Sequence, residues 1–225
     1  LDVGTGDKPY KVTVEIIKPS RLFNDDEDTA NIVLTEKAET ISKALEYLQA
    51  RIPHRIELDH LQVLLIGEEL ARQDDFRNIL DFFQREPEIS YRLRMMVVQG
   101  GEATEILNSK PLMERYVTAE VVSMTRLNPY LSLVRTRSFF NFSRDLRTAK
   151  GRGIITRVLH NSDGNFAIRH GAGVYRDWKL RHWLSAEETK AANWLLGIAD
   201  AIVTSENPVG KYTFRKEKKE VKIRP

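Results

Sequence analysis

Five histidines and no cysteine limit the chemistry this chain can hold. Without a thiol there is no disulfide, no thiolate metal site and no cysteine nucleophile. His54 and His60 stand across a loop-to-strand junction with no third ligand at metal spacing. His160, Asp163 and His170 could meet across a hairpin and hold a divalent cation. Zinc sites, however, show tighter paired spacing, so surface and hairpin-pairing histidines are the expectation. G-x-S-x-G, H-E-x-x-H and P-loop patterns are all absent. Gly151-Arg152-Gly153 leads into a strand instead of opening a helix, which removes the anion-binding geometry of a helix N-terminus. Gly171-Ala172-Gly173 lies in a strand pattern, where glycine marks a bulge or a close backbone approach. Glu68-Glu69, Glu86 and Glu187-Glu188 could act as an acid/base pair only if folding joined two of them. Solvated helix ends explain them more simply. The residues therefore predict no catalytic group, no metal and no cofactor.

Charge is the more informative signal. Arg135 to Arg157 carries Arg135, Arg137, Arg144, Arg147, Lys150, Arg152 and Arg157 against Asp145 alone, interleaved with Phe139, Phe140 and Phe142. Such a mixture can stack and neutralise nucleic acid. On a helix, though, Phe139 and Phe142 are three apart and turn inward with Leu146, leaving the arginines to solvent. Arg144, Arg147 and Arg152 are the candidate partner-contact residues, facing an acidic protein or an anionic lipid surface. The net charge is +3, and the stretch 215–224 alone contributes +4. The high isoelectric point is thus partly a property of the tail, and no nucleic-acid partner is expected.

The elements that must position these residues are organised around Asp59 to Gly100. Leu61 to Ile66 is a short apolar run closed by Gly67, which suits a strand buried on both faces. Asp74 or Asp75 can cap a helix with Phe76, Ile79, Leu80 and Phe83 on one face, ended by Pro87. Leu93, Met95 and Val97 then alternate with Arg94, Met96 and Val98. Strand, helix and strand in this length make a βαβ unit with parallel strands. Tyr10 to Pro19 predicts a half-buried strand, 32–34 another, and Thr40 caps a helix through Ile52. Residues 24–28 form an exposed acidic loop.

Farther along, helices are expected over 102–109, over 112–127 with a stop at Asn128-Pro129, and over 138–149. Strands follow at 153–159 and 166–175 around a turn at 161–164. Ser185 and Glu188 form a capping box for a helix that stops at Gly197. Residues 201–203 and 212–214 are strand candidates. The fold class is therefore α+β: two mixed α/β domains, each a β-sheet packed with helices, the first containing the βαβ unit. The expected divisions are 1–101, 102–208, and a strand with a basic tail over 209–225. At 225 residues the chain exceeds a typical domain of ~100–150 residues. No run approaches the ~20 apolar residues of a membrane span. A start at Leu1 without Met reads as a trimmed fragment, with any signal peptide or lipid-bearing cysteine upstream.

Several stretches together resemble the Ger(x)C family, the C-subunit lipoproteins of spore germinant receptors. They are YKVTVEIIKP, ETISKALEYLQARIPHRIELDHLQVLLIGEELAR, NILDFFQREPEI, EATEIL with Lys110-Pro111, SFFNFSRDL and WLSAEETKAANWLLG. They occur in the family's order and cover nearly the whole chain. The resemblance implies a three-domain α+β lipoprotein, anchored by an N-terminal lipid on the outer face of the inner spore membrane. It implies assembly with membrane-embedded A and B subunits to trigger germination, with no catalytic residues and no cofactor. The anchor and a third domain would lie outside this chain. The alternative function is a soluble extracytoplasmic module that binds a small nutrient between its domains.

Overall fold

The computed structural model describes residues 1–17, 31–73, 76–131, 138–160, 166–167, 171–195, 202–207, 210–217 and 220–224. The acidic loop 24–28, Asp74 and Asp75, the turn 161–164, Asp163, His170 and Gly197 lie outside them, as do Arg135 and Arg137.

The alternation of KPYKVTVEII gives β2 (Lys8–Ile17). It is the middle strand of a small antiparallel sheet, between β1 (Asp2–Thr5) and β3 (Asn31–Ala38). Tyr10 and Val12 are buried on one face. Against this sheet packs α1 (Ile41–Gln49), which buries Ile41, Ala44 and Leu48 at helical spacing. As expected, Thr40 caps it, accepting from the Lys43 amide at 3.1 Å.

The larger sheet comprises β4 (Val63–Ile66), β5 (Arg94–Gln99), β6 (Gly153–His160), β7 (Phe166–Ala167), β8 (Ala172–Arg176) and β9 (Lys179–Leu184). Its order is β4-β5-β6-β8-β9, with β7 paired to β6. The first three strands are parallel, and β8 and β9 run antiparallel. Between β4 and β5 lie α2 (Glu68–Arg72) and α3 (Phe76–Arg85), so the βαβ unit is present.

A continuous apolar strand must bury both its faces, and β5 does so. Met95 and Val97, with Leu64 and Ile66 of β4, join a core with Phe76, Ile79, Leu80 and Phe83 of α3. That core extends to α6 (Phe139–Thr148) through Phe139, Phe142 and Leu146. Met96 and Val98, with Leu65, face a second core under α4 (Ala103–Leu107) and α5 (Val117–Leu131). After β9 come α7 (Ala186–Leu195) and an antiparallel meander of β10 (Ile202–Asn207), β11 (Gly210–Glu217) and β12 (Glu220–Arg224). The capping box of α7 forms as expected: the Ser185 amide donates to Glu188 at 2.8 Å, and the Glu188 amide donates to Ser185 Oγ at 3.2 Å.

The α+β class holds, with several differences in detail. Residues on both sides of position 101 supply neighbouring strands of one sheet, because β5 pairs with β6. The helix expected over 112–127 starts at Val117 and runs through Pro129 to Leu131. Proline removes one amide from the ladder, and here it does so only in the last turn. Strands β1, β9 and β12 were not expected. The first and last are short, and β9 (KLRHWL) has a weak alternation.

Two carboxylates tie distant parts of the chain together, and a third holds a local loop. Asp2 Oδ1 accepts from the Ala103 amide at 2.6 Å, and its Oδ2 accepts from the Thr104 amide at 3.0 Å and hydroxyl at 2.7 Å. Glu15 accepts from the Val117 and Thr118 amides at 3.0 and 2.8 Å, and from the Thr118 hydroxyl. The small sheet thus supplies the counter-charge at the N-termini of α4 and α5. Buried Glu120 accepts from three successive amides, Leu112, Met113 and Glu114, at 2.6, 3.1 and 3.4 Å.

Candidate functional site

The basic stretch resolves into a helix, a cap and a strand. Ser138 opens α6, accepting from the Asn141 amide at 3.3 Å. The helix start is pinned to the sheet, since the Phe139 amide donates to the Leu93 carbonyl at 2.6 Å. Phe139, Phe142 and Leu146 point into the core as expected. Phe140 falls outside that spacing and is 47% exposed. Positions 140, 144 and 147 share a helical face, so Phe140, Arg144 and Arg147 form one outward row.

That row has fixed neighbours. The Arg144 side chain is 59% exposed and lies 4.0 Å from Asp145. Arg147 donates to Gln84 of α3. Tyr91, 76% exposed in the loop before β5, packs edge-on against Phe140 with centroids 5.3 Å apart and planes at 87°. Two large aromatic rings therefore meet edge to face at the surface, at the N-terminal end of an arginine row. Sequence reasoning placed Phe140 with its neighbours and missed Tyr91. The Leu93–Phe139 hydrogen bond and the Arg94–Ser138 bridge bring these distant positions together.

Arg152 lies apart from this helical row. The helix ends in a Schellman turn: the Gly151 amide bonds to Leu146 O at 2.6 Å, and the Lys150 amide to Arg147 O at 3.4 Å. Lys150 and Gly151 both have positive φ, at 52° and 83°. A Cβ on Gly151 would also meet Trp178 at 2.7 Å. Gly151 is thus a helix stop against Trp178. Arg152 is exposed immediately beyond it.

The remaining candidates separate as follows. Glu68 is no solvated helix end, contrary to expectation. It accepts from the Gly100 amide at 2.6 Å, the Trp183 indole at 3.0 Å and Arg72 at 2.5 Å. Partial burial pushes its carboxyl up, but these hydrogen bonds, led by that from Gly100, outweigh burial and hold it below the ordinary carboxylate range. Glu188 is exposed, and hydrogen bonds from Ser185 lower its pKa. Glu57 and Asp59 approach His60 in the loop before β4, their ligand atoms within 4.8 Å of one another and all exposed. The expectation of no third ligand near His60 is therefore corrected. The three lie within four consecutive positions, and the turn in this loop brings their ligand atoms together. The metal candidate at His160, Asp163 and His170 rests on side chains outside the described residues. Gly171 and Gly173 mark close approaches: a Cβ would meet Leu184 O at 2.6 Å and Leu180 at 2.8 Å, respectively.

Open parallel sheets tend to bind ligands beyond the carboxyl ends of their strands. Here the chain itself fills the position beyond β4. The Leu1 nitrogen donates to Leu65 O at 2.7 Å, and the Gly67 amide donates to Leu1 O at 2.8 Å. Asp2 sits against Gly67, with Oδ1 2.2 Å from where a Cβ would lie. No described helix is long and apolar enough to cross a membrane.

Comparison with known proteins adds a lineage to this geometry. A family model described as the spore germination protein N-terminal domain matches residues 1–160. Spore germination protein B3 of Bacillus subtilis (strain 168) is 24% identical over 226 residues, covering 98% of this chain and 60% of that protein. The crystal structure of the GerBC protein aligns with a TM-score of 0.49 at 18% identity, covering 94% of this chain and 64% of the other. The chain therefore spans about three fifths of the length of the curated relative it matches.

Proposed function

The chain belongs to the Ger(x)C family of spore germination proteins, and from that membership we propose that it is part of the C subunit of a nutrient germinant receptor. In this reading it is a non-enzymatic component that assembles with the A and B membrane subunits. A lipid on an upstream cysteine holds it on the outer face of the inner spore membrane. The meander of β10 to β12 leads toward a further domain.

The observation that carries the reading is the family match across residues 1–160. The surface agrees with it: an aromatic and arginine row on α6 suits docking, and the position beyond β4 is occupied by Leu1 and Asp2. The test is co-purification. Tagged full-length protein, extracted in mild detergent from spore membranes, is expected to retain the A and B subunits, and a strain lacking it is expected to stop responding to one nutrient. A saturable heat with a single amino acid or sugar, without retention of A and B, would favour the nutrient-binding alternative.

A further inference from the structure

We infer that the α6 face receives an acidic protein segment carrying one apolar side chain, which seats on the Tyr91–Phe140 pair while its carboxylates lie along Arg144 and Arg147. The inference rests on the receptor reading and names the chemistry of the partner's contact.

Two independent features converge on this occupant. The first is the exposed ring pair. Tyr91 and Phe140 leave 76% and 47% of their surface to water, yet the edge-on contact at 5.3 Å and the tie from Leu93 to Phe139 hold them in place. Aromatic side chains already ordered before binding lose little entropy on contact, as interface anchors require. The second is charge. Arg144, Arg147, Lys150 and Arg152 are exposed, and Asp145 is the intervening acid, its side chain only 27% exposed. An acidic partner complements this surface, and like charge would be repelled.

The residue types favour protein over lipid. Three of the four cations are arginines, whose planar forks bind carboxylates in a bidentate manner, and arginine with aromatic residues is the composition enriched at protein interfaces. Gln84 already orients one fork. A bilayer surface needs only point charges spread along a face. Here the cations follow a pair of rings at one end of a helix, giving the face a polarity from apolar to basic. The bound segment is read in a single direction, its apolar residue toward the start of α6 and its acids toward Gly151.

Phe140→p-benzoylphenylalanine in the full-length protein, irradiated in intact spores, reports what touches the ring. The expected adduct is a peptide whose neighbouring residues include at least two carboxylates. The same adduct should fall by about tenfold when Arg144→Glu and Arg147→Glu are added, with the circular dichroism spectrum unchanged. A lipid adduct, a basic or neutral peptide, no adduct, or an adduct insensitive to charge reversal would overturn the inference. The receptor reading fails separately, if deleting the protein leaves germination in every nutrient unchanged.

Discussion

Glu68 shows how one carboxylate can matter without doing chemistry. It joins the turn after β5, the start of α2 and the indole of Trp183 on β9. Its pKa is lowered in the fold, so folding favours its ionised form over its protonated form. The stabilisation is therefore present above the ordinary carboxylate pKa of about 4.3 and is lost as pH falls through the lowered value. Glu68→Gln is expected to reduce the urea midpoint at pH 7 and to make the mutant's midpoint fall less than the wild type's between pH 6 and pH 3. Parallel acid profiles for the two proteins would show that Glu68 is not the linked group.

At the scale of elements, what the sequence discloses is what the backbone decides locally. Thr40, Ser138 and the Ser185–Glu188 pair cap their helices because donor and acceptor lie three residues apart. The inward turn of Phe139, Phe142 and Leu146 follows from helical spacing alone. The ring pair of Tyr91 and Phe140 gave no such signal, because only tertiary ties join them. Glu120 is a similar case. It reads as an ordinary acid in the first turn of α5, yet it sits 4% exposed beneath the amides of Leu112, Met113 and Glu114. Its grip explains why Leu112 and Met113 can be 66% and 93% exposed on an ordered loop. Glu120→Ala removes the shared acceptor and is expected to cost about 2–3 kcal/mol, the scale of unsatisfied buried donors. Trypsin should then cut after Arg115 well before global unfolding, and limited proteolysis followed by mass spectrometry would detect it. Unchanged cleavage would mean that other contacts hold the loop.

For the whole molecule, one sheet draws its strands from both sides of position 101. β5 and β6 pair side by side, although α4, α5 and α6 lie between them in the chain, and Asp2 and Glu15 of the small sheet cap helices that begin beyond position 101. Pattern reading marks elements but not which strand lies beside which, and the expected division at 101 falls where the βαβ unit ends. Asp2→Ala is expected to lower stability by about 1–2 kcal/mol, the usual cost of a lost cap. All three tryptophans lie at or beyond 178, so their fluorescence reports the far half of the chain. That fluorescence and the circular dichroism should shift to the same lower denaturant midpoint, as cooperative unfolding requires. Divergent midpoints would indicate two independent units.

The span between Asp2 and Thr104, 102 positions, also sets a timetable for synthesis. At roughly 5–20 residues per second on the ribosome, the acid emerges some 5–20 seconds before the amides it will hold. Throughout that interval the β1–β2 hairpin carries the Asp2 carboxylate without the amides it caps. A chaperone that shields β1 and β2 during that interval is expected to raise the yield of folded protein.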